Sequence, residues 1–356
     1  MTTLATQKSA KSVTIHDVAL RANVSIGTVS LALRNDPRCA ANTVARVKEA
    51  AAALRYVPNH VARSLRRSST ETITLVIPDI GNPVYVAMAK VIQREARDRG
   101  YRLSLVSSDS QRSEELHAVD GLSRRHADGL IICSLRPDAT LLRALESASA
   151  PVCVIGRLPE DAAIDNVRVD SELGVELGVA QFVALGRKRI GFVNGTLQTV
   201  PATARLEGFK RALTTHGLRF KTSLVTHNGF SLEGGYAGAG ALLGRHPDLD
   251  AIFCANDIMA IGALRCIRER GLRVPEDIAV IGMDDIAEGR VCTPSLTSVS
   301  LEAEQRGAIA AKLLFERLEA GAPLEPRRVT VQPRLVERES SPAVQEPVVK
   351  KIEVAS

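Results

Sequence analysis

The chain has 356 residues, 45% apolar and 24% charged, which is enough material for a large buried core and a length typical of two or three domains. Its longest apolar runs, such as ITLVI at 73–77, are too short to cross a bilayer, and MTTLATQKSAKS at the start has no apolar signal core; the six cysteines are scattered with no CxxC and no clustered histidines. A membrane span, a secretory leader, a disulfide framework and a zinc site are therefore not expected. The net charge of +6 is unevenly placed, because residues 1–67 hold 11 basic and three acidic side chains, a net of +8, and everything after carries −2.

Residues 1–12 are expected as a disordered tail and 13–57 as an all-α domain. Thr14-Ile-His-Asp17 has capping-box spacing, so a helix should begin near Ile15, with Ile15, Val18, Ala19 and Ala22 on one narrow apolar face. Asn23 suits a left-handed stop, Val24 plugs the corner, and Ser25 caps a second helix running through Val29, Ala32 and Leu33. This is a helix-turn-helix, whose second helix is placed to present its N-terminal side chains to a DNA major groove. A third helix from about Thr43 to Arg55, with Asn42 as its expected cap, closes the core through Val44, Val47, Ala51 and Leu54. Pro58 then opens a short segment, a hinge over 58–67, in which Val61 and Leu65 share a face surrounded by Arg63, Arg66 and Arg67. So short a helix orders only against a partner. The low aromatic content makes stacking on single strands an unlikely mode, so duplex DNA gripped by phosphates and grooves is the expected partner.

Beyond Ser68, short apolar runs alternate with helical stretches: ITLVIPD, RLSLVSS, GLIIC, PVCVIGR, RIGFVNG, SLVTHNG, AIFCAND and IAVIGMDD. That alternation predicts an α/β core over 68–340 with two parallel-sheet lobes. The chain should cross from one lobe to the other near 169–171 and back near 293–300. Lobe 1 is then about 71–169 and 300–326, lobe 2 about 170–293 and 327–340, and 341–356 a flexible tail. Ligand contacts in such sheets sit just past strand ends. The candidates are Asn82 and Tyr85 after the first strand, Arg157 after the fourth, Phe230 after SLVTHNG, Asn256 and Asp257 after AIFC, and Asp284 after IAVIGM. Asp257 is expected chiefly as a helix cap. The glycine-rich run Gly238 to Gly244 lies inside a helical stretch with no strand before it, so close helix packing is expected there rather than pyrophosphate binding. No P-loop, GxSxG or HExxH motif is present, and no enzymatic activity is expected.

VTIHDVALRANVSIGTVSLAL and AAALRYVPNHVARSL, followed by IPDIGNPVY, ARLEGF, CANDIMAIGALR, GLRVPEDIAVIGMDD and TPSLTSV, resemble the lactose-repressor/galactose-repressor family of bacterial transcription regulators over roughly 330 residues. The resemblance implies a cytoplasmic homodimer that binds a near-palindromic double-stranded operator, its core related to periplasmic sugar-binding proteins and holding a small-molecule effector between the lobes. It assigns Ser25, Thr28 and Ser30 to phosphate contacts that position the head, Thr14 and His16 to further contacts from the first helix, and Leu65 to a wedge between bases, flanked by Asn59, Val61 and Arg66 of the hinge. The base-reading positions are Ile26, Gly27 and Leu31, which lack hydrogen-bonding side chains. Apolar contact to thymine methyls is therefore expected, with Arg34 on a phosphate or guanine. Arg205 in ARLEGF matches an effector-binding arginine, able to hold a hydroxyl pair or a carboxylate. Gly156 stands where sugar-binding members often carry Asp or Asn, so the effector class stays open among sugars, sugar derivatives, nucleosides and purines. No cofactor or metal is implied. The alternative from another class is a sugar-binding module without gene regulation. The tail lacks leucine heptads, which favours a dimer over a tetramer.

Overall fold

A computed structural model describes residues 13–57, 69–320 and 324–343. The expected tail at 1–12, the hinge with Asn59, Val61, Leu65 and Arg66, and residues 344–356 lie outside the described residues. The chain divides into two compact units, the first ending at Thr70 and the second beginning at Glu71.

The first unit holds three helices, α1 (Ile15–Ala22), α2 (Ile26–Ala32) and α3 (Ala41–Ala53). Asp17 accepts from both the backbone N–H and the hydroxyl of Thr14, each at 2.8 Å, fixing the start of α1. Asn23 adopts φ +49° and ψ +54° and ends it. Ser25 Oγ then accepts from the Thr28 backbone N–H at 3.1 Å and starts α2 only three residues on. Val18, Ala22, Val29, Ala32 and Val47 are almost completely buried between the three helices, and the alanines let the backbones approach closely. One expectation fails: α3 is capped by the Ala40 backbone with no side-chain bond, and Asn42 sits inside the helix, where its Oδ1 accepts from the Thr43 hydroxyl.

The second unit is two α/β lobes. In lobe 1, β1 (Thr72–Ile77), β2 (Arg102–Ser107), β3 (Gly129–Cys133), β4 (Val152–Ile155), β5 (Asp165–Val169) and β11 (Arg328–Val331) form a parallel sheet ordered β2-β1-β3-β4-β5-β11. Helices α4 (Pro83–Asp98), α5 (Arg112–Ser123), α6 (Ala139–Glu146) and α12 (Ala303–Glu319) belong with it. In lobe 2, β6 (Ile190–Asn194), β7 (Val225–His227), β8 (Ala251–Cys254), β9 (Ala279–Met283), β10 (Thr297–Ser300) and β12 (Arg334–Val336) are ordered β7-β6-β8-β9-β10-β12, with β12 alone antiparallel. Its helices are α7 (Ser171–Ala184), α8 (Val200–Thr215), α9 (Leu232–Arg245), α10 (Asp257–Glu269) and the short α11 (Ala287–Val291). Both sheets reverse strand order beside their first strand, and that switch leaves a crevice at the strand carboxyl ends.

The crossings differ from expectation in detail. TSVS is itself a lobe 2 strand, β10, so the chain returns to lobe 1 only after Ser300. β11 belongs to the lobe 1 sheet and not to lobe 2, so the last crossing falls between Val331 and Arg334. The expected tail also starts too early, because Ser341 is fully buried and the Gln181 side chain donates to the Pro342 carbonyl at 2.7 Å. These strands are short and carry polar residues, TSVS and RVTV, so only the pairing partner decides to which sheet they belong. Asp165 on β5 is gripped by Arg317 of α12 at 2.6 and 2.7 Å and by Arg327 at 2.8 Å, which ties the returning helix to the sheet. Four cysteines, 133, 153, 254 and 266, are buried, as expected of small core residues, while Cys39 and Cys292 are half-buried. No helix among the described residues is long and apolar enough to cross a membrane.

Candidate functional site

The head presents its candidate contacts around the start of α2. Ser25, Ile26 and Gly27 are exposed, whereas Thr28, Ser30 and Leu31 are half-buried. Ile26, 39% exposed, is an apolar side chain left uncovered by the core. The Ser25 and Thr28 hydroxyls lie 2.9 Å apart, so each is held in place by the other. The exposed Arg34 folds back so that its Nε donates to the Ser30 carbonyl at 2.9 Å. Thr14 and His16 are exposed at the start of α1.

In the core, a cavity of about 770 Å³ lies between the two lobes, and all seven residues expected at the ligand line it. Lobe 1 contributes Asn82 and Tyr85, both half-buried at the start of α4. Asn82 is also the cap of that helix, its Oδ1 accepting from the Val84 N–H at 3.1 Å. Arg157 stands at the exposed rim, paired with Glu172 at 2.8 Å, and Glu172 also holds Arg211 at 2.7 Å. Lobe 2 contributes Arg205, Phe230, Asn256 and Asp284. Arg205 is buried, donates to the Ala255 carbonyl at 2.7 Å and has no partner for Nε. Its guanidinium carbon lies 6.0 Å from the centre of the Phe230 ring, a cation–π distance. That ring is seated against Gly195, where a Cβ would stand 2.0 Å from it, so any side chain there would displace the ring. Asn256 is the cap of α10, accepting from the Met259 N–H at 2.9 Å. The expected cap, Asp257, instead lies inside the first turn and accepts from the Ile286 N–H at 2.9 Å and the Ser298 hydroxyl at 2.6 Å. It fastens the loop after β9 from which Asp284 projects.

Asp284 has φ +119°, a backbone conformation unfavourable for a non-glycine residue, and its N–H is tied to the Val299 carbonyl at 2.9 Å. Removal from water pushes its carboxyl up to about 6, although Arg205 and Arg306 pull the other way. Asp257 is pushed up to about 7 by burial and then by the charge of Asp284. Both acids hold their protons more tightly folded than unfolded, so their contribution to stability is complete below about pH 4 and is lost as pH rises through these values. The thermal midpoint of the ligand-free protein is thus expected to fall between about pH 5 and pH 8. Asp284→Asn should flatten the lower part of that slope; a wild-type midpoint that rises over this range would refute the assignment.

Among the lining residues not expected from the sequence, Arg306 stands out. Arg306 of α12 is 8% exposed, with no partner for its Nε, and comes from lobe 1 to face Asp284 and Arg205 of lobe 2. A signal existed: Ala303, Arg306, Gly307, Ala310 and Leu314 fall on one helical face, so the arginine interrupts an otherwise apolar stripe. The glycine-rich run lies within a helix, α9, as expected, but Gly238 packs it against the sheet: a Cβ there would stand 2.5 Å from a Val193 methyl of β6.

Residues 14–59 match the model for bacterial regulatory proteins of the lacI family, and residues 179–341 match a periplasmic binding protein-like domain. The chain is 33% identical over 336 residues to the HTH-type transcriptional regulator CelR of Thermobifida fusca, covering 92% of this chain and 98% of that protein. It is 33% identical over 303 residues to catabolite control protein A of Priestia megaterium, covering 85% and 91%. With the ribose operon repressor of Escherichia coli it shares 30% over 331 residues, covering 92% and 99%. Among solved structures, the lac repressor dimer bound to operator and the anti-inducer ONPF superposes with a TM-score of 0.82 at 28% identity, over 94% of this chain and 100% of that one. The CelR–cellobiose complex gives 0.71 at 32%, over 92% and 99%.

Proposed function

The chain belongs to the LacI family of bacterial regulatory proteins, and from that premise we propose that it is a transcriptional repressor set by a small molecule. It binds a near-palindromic operator as a homodimer, and the effector occupies the cleft between the lobes. The observation that carries this reading is the cleft itself. Its seven lining candidates come from both lobes, and buried Arg205 keeps an unused donor. A buried polar group without a partner costs of the order of 1–3 kcal/mol, and a ligand that accepts from it recovers that cost.

Ser25, Thr28 and Ser30 hold phosphates in this scheme, with Thr14 and His16 beside them. Ile26, Gly27 and Leu31 face the base edges, Arg34 reaches a phosphate or guanine, and Leu65 with Asn59, Val61 and Arg66 takes the minor groove. Asn82, Tyr85, Arg157, Arg205, Phe230, Asn256 and Asp284 contact the effector. Two relatives support a carbohydrate class by name: one is a ribose operon repressor and another forms a cellobiose complex.

Footprinting of the full-length protein on the DNA upstream of its own gene is expected to protect a near-palindrome at moderate salt. Leu65→Ala should weaken that binding by more than about 1 kcal/mol, the scale of one base mismatch. Absence of any protected site, or a Leu65→Ala variant with wild-type affinity, would sink the operator or the wedge assignment respectively.

A further inference from the structure

Resting on that assignment of the cleft, we propose that the ligand is an acid: a polyhydroxylated carboxylate whose carboxyl group sits between Arg205 and Arg306 while its hydroxyls meet Asp284. Arg205 enters from lobe 2 and Arg306 from lobe 1, and both are more than nine-tenths buried, at 7% and 8% exposure. Each has an Nε with no partner. Among the described residues no hydrogen bond or ion pair engages the Arg306 side chain, and Arg205 has a single hydrogen bond, to the Ala255 carbonyl. Both guanidiniums are thus held out of water, in one cavity, with most of their donors unspent.

The charge around them is unbalanced. Asp284 is the acid that interacts with both arginines, and it offsets at most one of them. Of the other acids, Asp79, Asp109 and Asp170 are at exposed positions, Glu160 is paired with Arg168 and Arg328, Glu172 is taken up by Arg157 and Arg211, and Asp257, which also acts on Arg205, is spent on the Ile286 N–H and the Ser298 hydroxyl. A neutral sugar would seal two cations away from water with one counter-charge, and an unpaired buried ion is strongly unfavourable. A carboxylate supplies the missing single charge and matches the planar fork of a guanidinium at two oxygens. A dianionic phosphate would overshoot by one charge. The rest of the cavity suits a sugar skeleton: Phe230 and Tyr85 offer ring surfaces to C–H groups, Asp284 accepts from hydroxyls, and about 770 Å³ is ample room. Because the two arginines belong to different lobes, one bridging anion also joins the lobes. The ligand would then favour the arrangement that brings both guanidiniums to it.

Calorimetric titration of the full-length protein tests this with glucuronate, galacturonate and gluconate, the neutral sugars glucose and galactose, and glucose 6-phosphate, all at one ionic strength. The expected result is an acid that binds at least about tenfold tighter than its neutral counterpart, the scale of one charge-assisted pair. Arg306→Gln should remove that preference, so that the acid binds no tighter than its neutral counterpart. A neutral sugar that binds as tightly as its acid overturns the proposal and leaves the effector cleft standing, and so does a phosphate that binds tighter than every acid. Failure of every compound to bind overturns both. The wild-type comparison of acid with neutral sugar does not depend on how the variant folds.

Discussion

Gly262→Val is expected to lower the thermal midpoint of the full-length protein by about 10 °C, corresponding to about 3 kcal/mol or more in a unit of this size. Helices α9 and α10 cross so closely that a Cβ at Gly262 would lie 2.0 Å from the Leu232 carbonyl oxygen and 2.8 Å from the Tyr236 nitrogen. The contact is reciprocal, since a Cβ at Gly235 would lie 2.0 Å from the Met259 carbonyl oxygen. These neighbours are backbone atoms, so no rotamer change relieves the clash, and the helices must separate. α10 also carries Asn256 at its cap and Asp257 in its first turn, so ligand binding should weaken along with stability. Gly244→Ala on the same α9 is the control, because nothing lies within 4 Å of the added methyl. It should be neutral or stabilising by up to about 1 kcal/mol through helix propensity. Differential scanning calorimetry on the two variants decides the matter. Similar midpoints for both would show that the crossing tolerates separation.

Val29→Asp should abolish operator binding while the thermal transition of the second unit and its ligand binding persist. Val29 is completely buried among Val18, Ala22, Ala32 and Val47, in a core of few and mostly small side chains. Burying an unpaired carboxylate there costs several kcal/mol, which is comparable with the whole stability of so small a domain. The head and the α/β core are separate units, so the damage should stay local. Gel-shift and calorimetric measurements on one preparation make the test. Retained sequence-specific binding would mean that the three-helix packing is not what orients α2, whereas loss of both activities would mean that the two units do not fold independently.

Much of this was legible because the signals were local. The capping pair Thr14 and Asp17, the left-handed Asn23 and the cap at Ser25 each act within four residues, so they specify the helix-turn-helix before any long-range contact forms. The runs of buried strands and the residues just past their ends likewise placed Asn82, Tyr85, Phe230, Asn256 and Asp284 at one cleft, because parallel sheets gather their carboxyl ends on one side. The errors share the opposite cause. β11 falls in the other lobe from the one expected, and the expected crossing at 293–300 holds a strand of its own, because strand partnership is decided by a pairing far along the chain, Arg328 with Asn166 and Thr297 with Ile281. Asp257 looked like a cap because position alone cannot separate a cap from its neighbour; the carboxylate is instead drawn to Ile286 and Ser298, some 29 and 41 residues away.

By itself, the sequence determined that a basic helical head precedes a near-neutral two-lobed core, since charge distribution, capping and apolar periodicity are properties of short stretches. Only the tertiary structure decided what the cleft holds in reserve. Arg306 arrives there because α12 returns to lobe 1 after β10, carrying a guanidinium out of water to face Arg205 across the lobes. Helical spacing can mark Arg306 as facing inward, but which groups it meets, and that its charge stays unmatched, is set by three-dimensional packing alone.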